Sequence, residues 1–251
     1  PSLAPDGRQL VFVSYRSGRI GLWWGRVDDP ASLRWIEGVV PVPRHAASWS
    51  GDGRSVLLVG ERGGRSVLEE VDVGSGRAMQ LAVPEGEPVQ AAYLPEGRLL
   101  VVVKLGDGHQ RLDRYDRRHA PWRREPPIGN VAFVRADPAG DRILFTRPLE
   151  WGVWQANPGL GRISKLGDRP DFDGGRRIAF IAGRAVLGES GEGCGLRWRA
   201  LDAAASTPQI ACLTAGAALN DFSVAADGGR VLFSSTRREQ DIAVAALRPS
   251  R

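Results

Sequence analysis

Ser2-Leu3-Ala4-Pro5-Asp6-Gly7, near one end of the chain, returns near the other end as Ser223-Val224-Ala225-Ala226-Asp227-Gly228. Between them stand shorter echoes: Trp49-Ser50-Gly51-Asp52-Gly53, Tyr93-Leu94-Pro95-Glu96-Gly97, Asp137-Pro138-Ala139-Gly140 and Asp173-Gly174-Gly175. Anchored on Gly7, Gly53, Gly97, Gly140, Gly175 and Gly228, the chain divides into six units. Their mean spacing is about 44 residues, the period of a propeller blade. Five residues beyond each anchor the side chain is apolar: Phe12, Leu58, Val102, Phe145, Phe180 and Phe233. Asp-Gly is a strong hairpin-turn signal, and a β-rich run such as Val56–Val59 or Val231–Phe233 follows each turn. An alternating run comes next, as in Gly21-Leu22-Trp23-Trp24, and a last short run precedes the following unit. Four strands per unit predict an all-β fold, a six-bladed β-propeller of four-stranded antiparallel blades, with residues 1–251 as a single domain. Asp241–Leu247 has helical alanine propensity but falls where the repeat requires a third strand, so a strand is expected there.

The Ser-x-Asp-Gly-Arg pattern running into apolar residues, best kept around Pro5-Asp6-Gly7, resembles the WD40-like Pro-Asp repeat of TolB-like six-bladed propellers. Glu96 replaces the aspartate in one unit, and the fifth is shortened at Pro170-Asp171-Phe172. The resemblance implies a non-catalytic sensor or binding propeller. The expected context is the extracytoplasmic C-terminal domain of a bacterial signal-responsive regulator, similar to membrane-bound winged-helix transcription factors. Alternatives within the group are a TolB-like periplasmic protein-interaction scaffold and the gating propeller of a prolyl oligopeptidase-like peptidase. The expected location is periplasmic, with a tether to the inner membrane through upstream sequence. Because the sixth unit runs out after its third strand, either residues upstream of Pro1 supply the fourth from the other terminus, or the last blade has only three strands.

Composition narrows the remaining classes. With 42% hydrophobic and 25% charged residues, the chain of 251 is not intrinsically disordered. No run reaches the ~18 apolar residues of a membrane helix, so no membrane span is expected. The net charge is +5, but lysine occurs only at Lys104 and Lys165. The arginines are scattered along the chain, usually beside glycine, so no direct nucleic-acid contact is expected.

No catalytic residue can be assigned. Gly188-Glu189-Ser190-Gly191-Glu192 fails as a nucleophile elbow at its last position, and no phosphate-binding loop joins a strand to a helix. No cofactor and no metal are expected. His109 and His119 read as loop histidines, and Asp168, Asp171 and Asp173 as turn formers rather than calcium ligands. In the Trp23-Trp24 pair, alternation puts one ring in an inter-blade core and the other on the surface.

A hairpin turning around Ala203 sets Cys194 opposite Cys212, so these two form either a disulfide or a pair of buried thiols. The bridge would imply an oxidising compartment. A ligand site is expected where loops enter the innermost strands, at His45, Gln90, Asn130, Arg169, Asp171, Asn220 and Asp221. These would receive a protein or a small polar ligand; alternatively they hydrate the channel mouth and satisfy loop backbone.

Overall fold

A computed structural model describes residues 1–43, 46–83, 85–117, 123–124, 127–137, 142–157, 161–168, 177–191, 194–201, 209–211, 218–225, 228–236 and 240–246. The strands of blade 1 are β1 (Ser2–Leu3), β2 (Gln9–Ser14), β3 (Gly21–Arg26) and β4 (Asp29–Ile36), paired in that order. Blade 2 follows with β5 (Ser48–Trp49), β6 (Ser55–Arg62), β7 (Arg65–Asp72) and β8 (Ala78–Leu81). Blade 3 holds β9 (Glu87–Tyr93), β10 (Arg98–Lys104) and β11 (Gln110–Asp116), with β12 (Arg123–Arg124) and β13 (Ile128–Gly129) both pairing with β11. Blade 4 has β14 (Phe133–Ala136), β15 (Ile143–Thr146), β16 (Val153–Ala156) and β17 (Ile163–Gly167). Blade 5 has β18 (Ile178–Ile181), β19 (Arg184–Gly191), β20 (Cys194–Ala200) and β21 (Gln209–Ala211). Blade 6 has β22 (Ala218–Val224), β23 (Arg230–Thr236) and β24 (Gln240–Ala246). The 241–246 stretch is thus a third strand, as the repeat requires.

The recurrent turn explains the motif. In blades 1, 2 and 6 the residue before the turn donates its N–H across it, Ala4 to Gln9, Ser50 to Ser55 and Ala225 to Arg230, at 2.8–3.0 Å. Asp6 and Asp52 each accept a backbone N–H two residues on, which satisfies a donor the turn leaves over. Gly7 closes the turn at φ 67°, and a Cβ there would stand 3.2 Å from Ala225 Cβ of blade 6.

Blade 5 departs from the expected register. Phe180 lies in the first strand of its sheet, opposite Ala185, whereas Phe12, Leu58, Val102, Phe145 and Phe233 lie in second strands. The turn between β18 and β19 is the two-residue Ala182-Gly183, both at positive φ (47° and 73°). The expected anchor Gly175 lies outside the described residues, as does Gly140 of blade 4. A tight hairpin positions the strands as well as a long Asp-Gly turn, so the sequence frame slips while the sheet keeps its place.

The core is a series of seams. Ala4, Val11 and Ile36 of blade 1 pack on Trp49, Val56 and Leu58 of blade 2. In the same way Ala179 and Val186 of blade 5 pack on Phe222, Val231 and Phe233 of blade 6. Leu3, Leu10 and Phe12 meet Ala225 and Leu232, which closes the ring between blades 6 and 1. β1 pairs with β2 as the innermost strand of its own sheet. Among the described residues blade 6 has three strands. The tryptophan pair also differs from expectation: Trp23 packs toward blade 6 and Trp24 toward blade 2, both half-buried. Alternation sends them to opposite faces, and in a propeller both faces of a blade are seams.

Candidate functional site: the central channel

One inward-facing position recurs on each innermost strand: Ser2, Ser48, Ala92, Arg135, Ala179 and Ser223. Its partner on the second strand, from Val11 in blade 1 to Leu232 in blade 6, packs toward the following blade. The side chain itself therefore points into the axis or onto the next inner strand. Ser223 and Ser48 do the latter. Ser223 Oγ accepts the Leu3 N–H at 3.0 Å, and Ser48 Oγ accepts the Tyr93 N–H at 3.1 Å. In blade 3, where this position is Ala92, Gln90 takes over: its amide donates to Val134 O and accepts from Val134 N, both at 2.9 Å. Trp49 Nε1 adds a bond to Ser2 O at 3.2 Å. Inner strands of neighbouring blades do not form a sheet, so these side chains satisfy backbone groups that would otherwise be buried without partners.

Within this ring lies a cavity of about 490 Å³ lined by residues of all six inner strands and of the turns at Pro5, Gly51 and Pro95. Much of the wall is small and apolar: Ala47, Ala91, Ala136 and Ala179 beside Leu3, Phe180 and Phe222. Charge enters with Arg135, whose guanidinium reaches Asp221 Oδ1 at 3.6 Å and lies 4.6 Å from the Phe133 ring centroid. Asp137, also on the wall and buried, has Arg142 Nε at 3.7 Å. Tyr93 closes one side; its phenol donates to Glu70 Oε1 at 2.5 Å, and Glu70 holds Arg117 by two bonds of 2.6 and 2.9 Å. Burial, then the hydrogen bond to Glu70 and its charge, push the Tyr93 phenol well above its ordinary range, so it stays protonated as a donor. The channel thus offers a largely apolar surface with a paired guanidinium at its side.

The residues expected at the loop-fed ends of the inner strands are described in part. His45, Arg169 and Asp171 lie outside the described residues, as does the side chain of Asn220 on β22. Gln90 is buried and committed to Val134. Asn130 is exposed at φ 58° and donates to Glu150 Oε1 at 3.3 Å. Asp221 is buried on β22 beside Arg135. None of Gln90, Asn130 and Asp221 lines the cavity, which lies toward the turn ends of the strands. Arg135 and Tyr93 were missed. The available signal was Arg135 standing five residues before Gly140, the place held by Ser2, Ser48 and Ser223 before their own anchors.

Of the cysteines, Cys194 opens β20, and Cys212 lies outside the described residues. The strand register pairs Leu196 with Ala211, one residue off the register that would set Cys194 opposite Cys212. Asp168 is held by Lys165 at 2.6 Å; Asp171 and Asp173 lie outside the described residues. No helix of the described residues is long and apolar enough to cross a membrane.

This architecture is that of a β-propeller. Comparison with solved structures gives the same class: TolB from Acinetobacter baumannii superposes with a TM-score of 0.63 at 18% identity, over 80% of this chain and 51% of that one. The chain therefore spans about half the length of that TolB. Oligogalacturonate lyase from Vibrio parahaemolyticus matches at TM-score 0.66 and 12% identity, over 99% of this chain and 89% of its own. The β-propeller domain of the trilobed protease from Pyrococcus furiosus, described as having an open velcro topology, matches at 0.57 and 11% identity, covering 100% and 81%. The chain is TolB-like in fold. No protein-family model matches the sequence. No curated protein matches it either.

Proposed function

We propose that this chain is a non-catalytic protein-interaction propeller, a TolB-like extracytoplasmic scaffold that receives a polypeptide segment of its partner in the central channel. The observation that carries this reading is the cavity wall. It combines small apolar side chains from all six blades with Arg135 at one side, while the polar groups around it are engaged in holding blades together. Ser48, Ser223, Gln90 and Tyr93 are tied to backbone or to Glu70, an arrangement that favours a rigid receptor over a reacting centre. A small polar ligand is the other class such a wall would admit. The regulator-sensor reading has no feature of the channel in its favour over the scaffold, and the likeness to TolB in fold supports the scaffold.

The experiment is site-specific photo-crosslinking from Ala47 and from Ser223, both on the cavity wall. In cells producing the chain, the scaffold reading expects a discrete polypeptide adduct from both positions, weakened by Arg135→Glu. Absence of any polypeptide adduct, together with a low-molecular-mass ligand co-purifying with the channel, would replace the scaffold by a small-molecule receptor.

A further inference from the structure

The loops joining second to third strands lie on the propeller end away from the turns that border the cavity, because the inner strands run together and each blade is an antiparallel meander. Asn130, just before the inner strand of blade 4, bonds Glu150 in such a loop, which confirms the placement for blade 4. That loop carries Leu149, 85% exposed and at φ 61°, and Trp151, 47% exposed. A leucine in the left-handed region is strained, and nothing in the fold gains from displaying it. The equivalent loop of blade 1 carries Tyr15, 65% exposed. Beside it stand Arg16 and Arg19, with guanidiniums 5.8 Å from the Trp23 ring and 4.1 Å from the Trp35 ring. Neither arginine has a carboxylate partner among the described residues. The indole rings hold these two cations at the surface without neutralising them.

We infer that this loop end is a peripheral membrane-docking face for anionic phospholipid, with Leu149 and Trp151 inserting at the headgroup–acyl boundary and Arg16 and Arg19 meeting the headgroups. Blades 1 and 4 stand opposite each other in a ring of six, so the apolar groups are separate points on one end and not a continuous patch. A flat bilayer meets such points together; a protein partner needs a contiguous complementary surface. Tryptophan, tyrosine and arginine are the side chains that favour the interface, and the chain's net charge of +5 adds long-range attraction. The inference does not depend on what the channel binds.

The test is flotation of the full chain with vesicles. Mixed phosphatidylglycerol–phosphatidylcholine vesicles should carry the protein at low salt, pure phosphatidylcholine vesicles far less. Leu149→Ser with Trp151→Ser should lower the partition by about tenfold, and Arg16→Gln with Arg19→Gln should lower it by about tenfold while flattening its salt dependence. The second pair lies on a different blade, so a folding defect in one variant leaves the other to decide. No flotation with anionic vesicles, or equal flotation of both variants and the parent, overturns the inference. So does a protein partner whose binding needs Leu149 and Trp151 when vesicles bind neither form. No polypeptide adduct and a co-purifying small ligand in the channel, with flotation retained, would reject the scaffold reading alone.

Discussion

Blades 2 and 5 build the same inner hairpin from different turns. In blade 2, Trp49 pairs with Val56, and the chain between them loops through Ser50-Gly51-Asp52-Gly53. Ser50 Oγ there accepts the Ser55 N–H at 3.0 Å, and Asp52 accepts that of Arg54 at 3.1 Å. In blade 5, Ile181 pairs with Arg184 across Ala182-Gly183 alone. Both hairpins deliver an inner strand to the channel and a second strand to the seams. The Asp-Gly motif is therefore one way of satisfying the backbone of a long turn and not a condition for the blade. What the blades share is the seam, which side chains hold.

The strongest test of that contrast is at a seam. Gln90→Leu leaves the buried N–H and C=O of Val134 without partners, and at about 1–3 kcal/mol for each buried unsatisfied group the loss should be about 3 kcal/mol. Urea unfolding measures it; a loss no larger than that of an exposed substitution would mean that the apolar seam alone joins blades 3 and 4. In blade 5, a Cys194–Cys212 disulfide would stabilise by about 2–3 kcal/mol in the chain-entropy account. With the bridge, protein taken from an oxidising compartment shows no free thiol after denaturation without reductant, and a midpoint that falls on reduction. Two free thiols would leave the fifth blade without the staple and remove the redox argument for an extracytoplasmic location.

The long Asp-Gly turn, taken in blade 1 where it has the same form as in blade 2, and the short turn of blade 5 should differ less. Gly7→Ala combines left-handed strain with a Cβ 3.2 Å from Ala225, while at Gly183 a Cβ meets nothing within 4 Å. Losses of about 2 and about 1 kcal/mol are expected, and equal losses would mean that the 6–1 seam yields to the extra methyl. The smallest effect is acid dependence at the seam between blades 2 and 3. Burial works to raise the Glu70 pKa, but the hydrogen bonds from Arg117 and Tyr93 and the Arg117 charge outweigh it and hold it below the ordinary value of 4.5. A depressed folded pKa gives stability that is full above the unfolded pKa and lost as pH falls through the folded one. Glu70→Gln should therefore cost about 1 kcal/mol near neutral pH and flatten the decline below pH 4.5. A variant whose acid profile matches the parent's would assign that decline to other carboxylates.

Much of the fold was legible because it rests on local, periodic chemistry. A turn that needs a left-handed residue writes glycine, as at Gly7, Gly53, Gly97 and Gly228, and a strand buried on both faces writes Val, Leu and Phe at a fixed offset, as at Phe12, Leu58, Val102, Phe145 and Phe233. Phe180 satisfied the offset for another reason: it is apolar because the first strand of blade 5 is also buried, and hydrophobicity alone does not distinguish neighbouring strands. The channel was less legible. Gln90 and Asp221 were seen as polar residues near the axis, but whether a polar side chain faces a ligand or a neighbour's backbone depends on what stands across the seam.

The sequence by itself determined the class of fold, the strand identity of the 241–246 stretch against its helical propensity, and the places of the turns in blades 1, 2 and 6. These follow from period and turn chemistry, which act over a few residues. Only the tertiary structure decided that Ser48, Gln90 and Ser223 bind adjacent blades, and that Arg135 stands on the wall of the cavity. It also brought Arg16 and Arg19 over tryptophans with no acidic partner among the described residues. Residues 44 or 45 positions apart meet there because the ring sets equivalent places side by side, and no local pattern in the chain records which of them will touch.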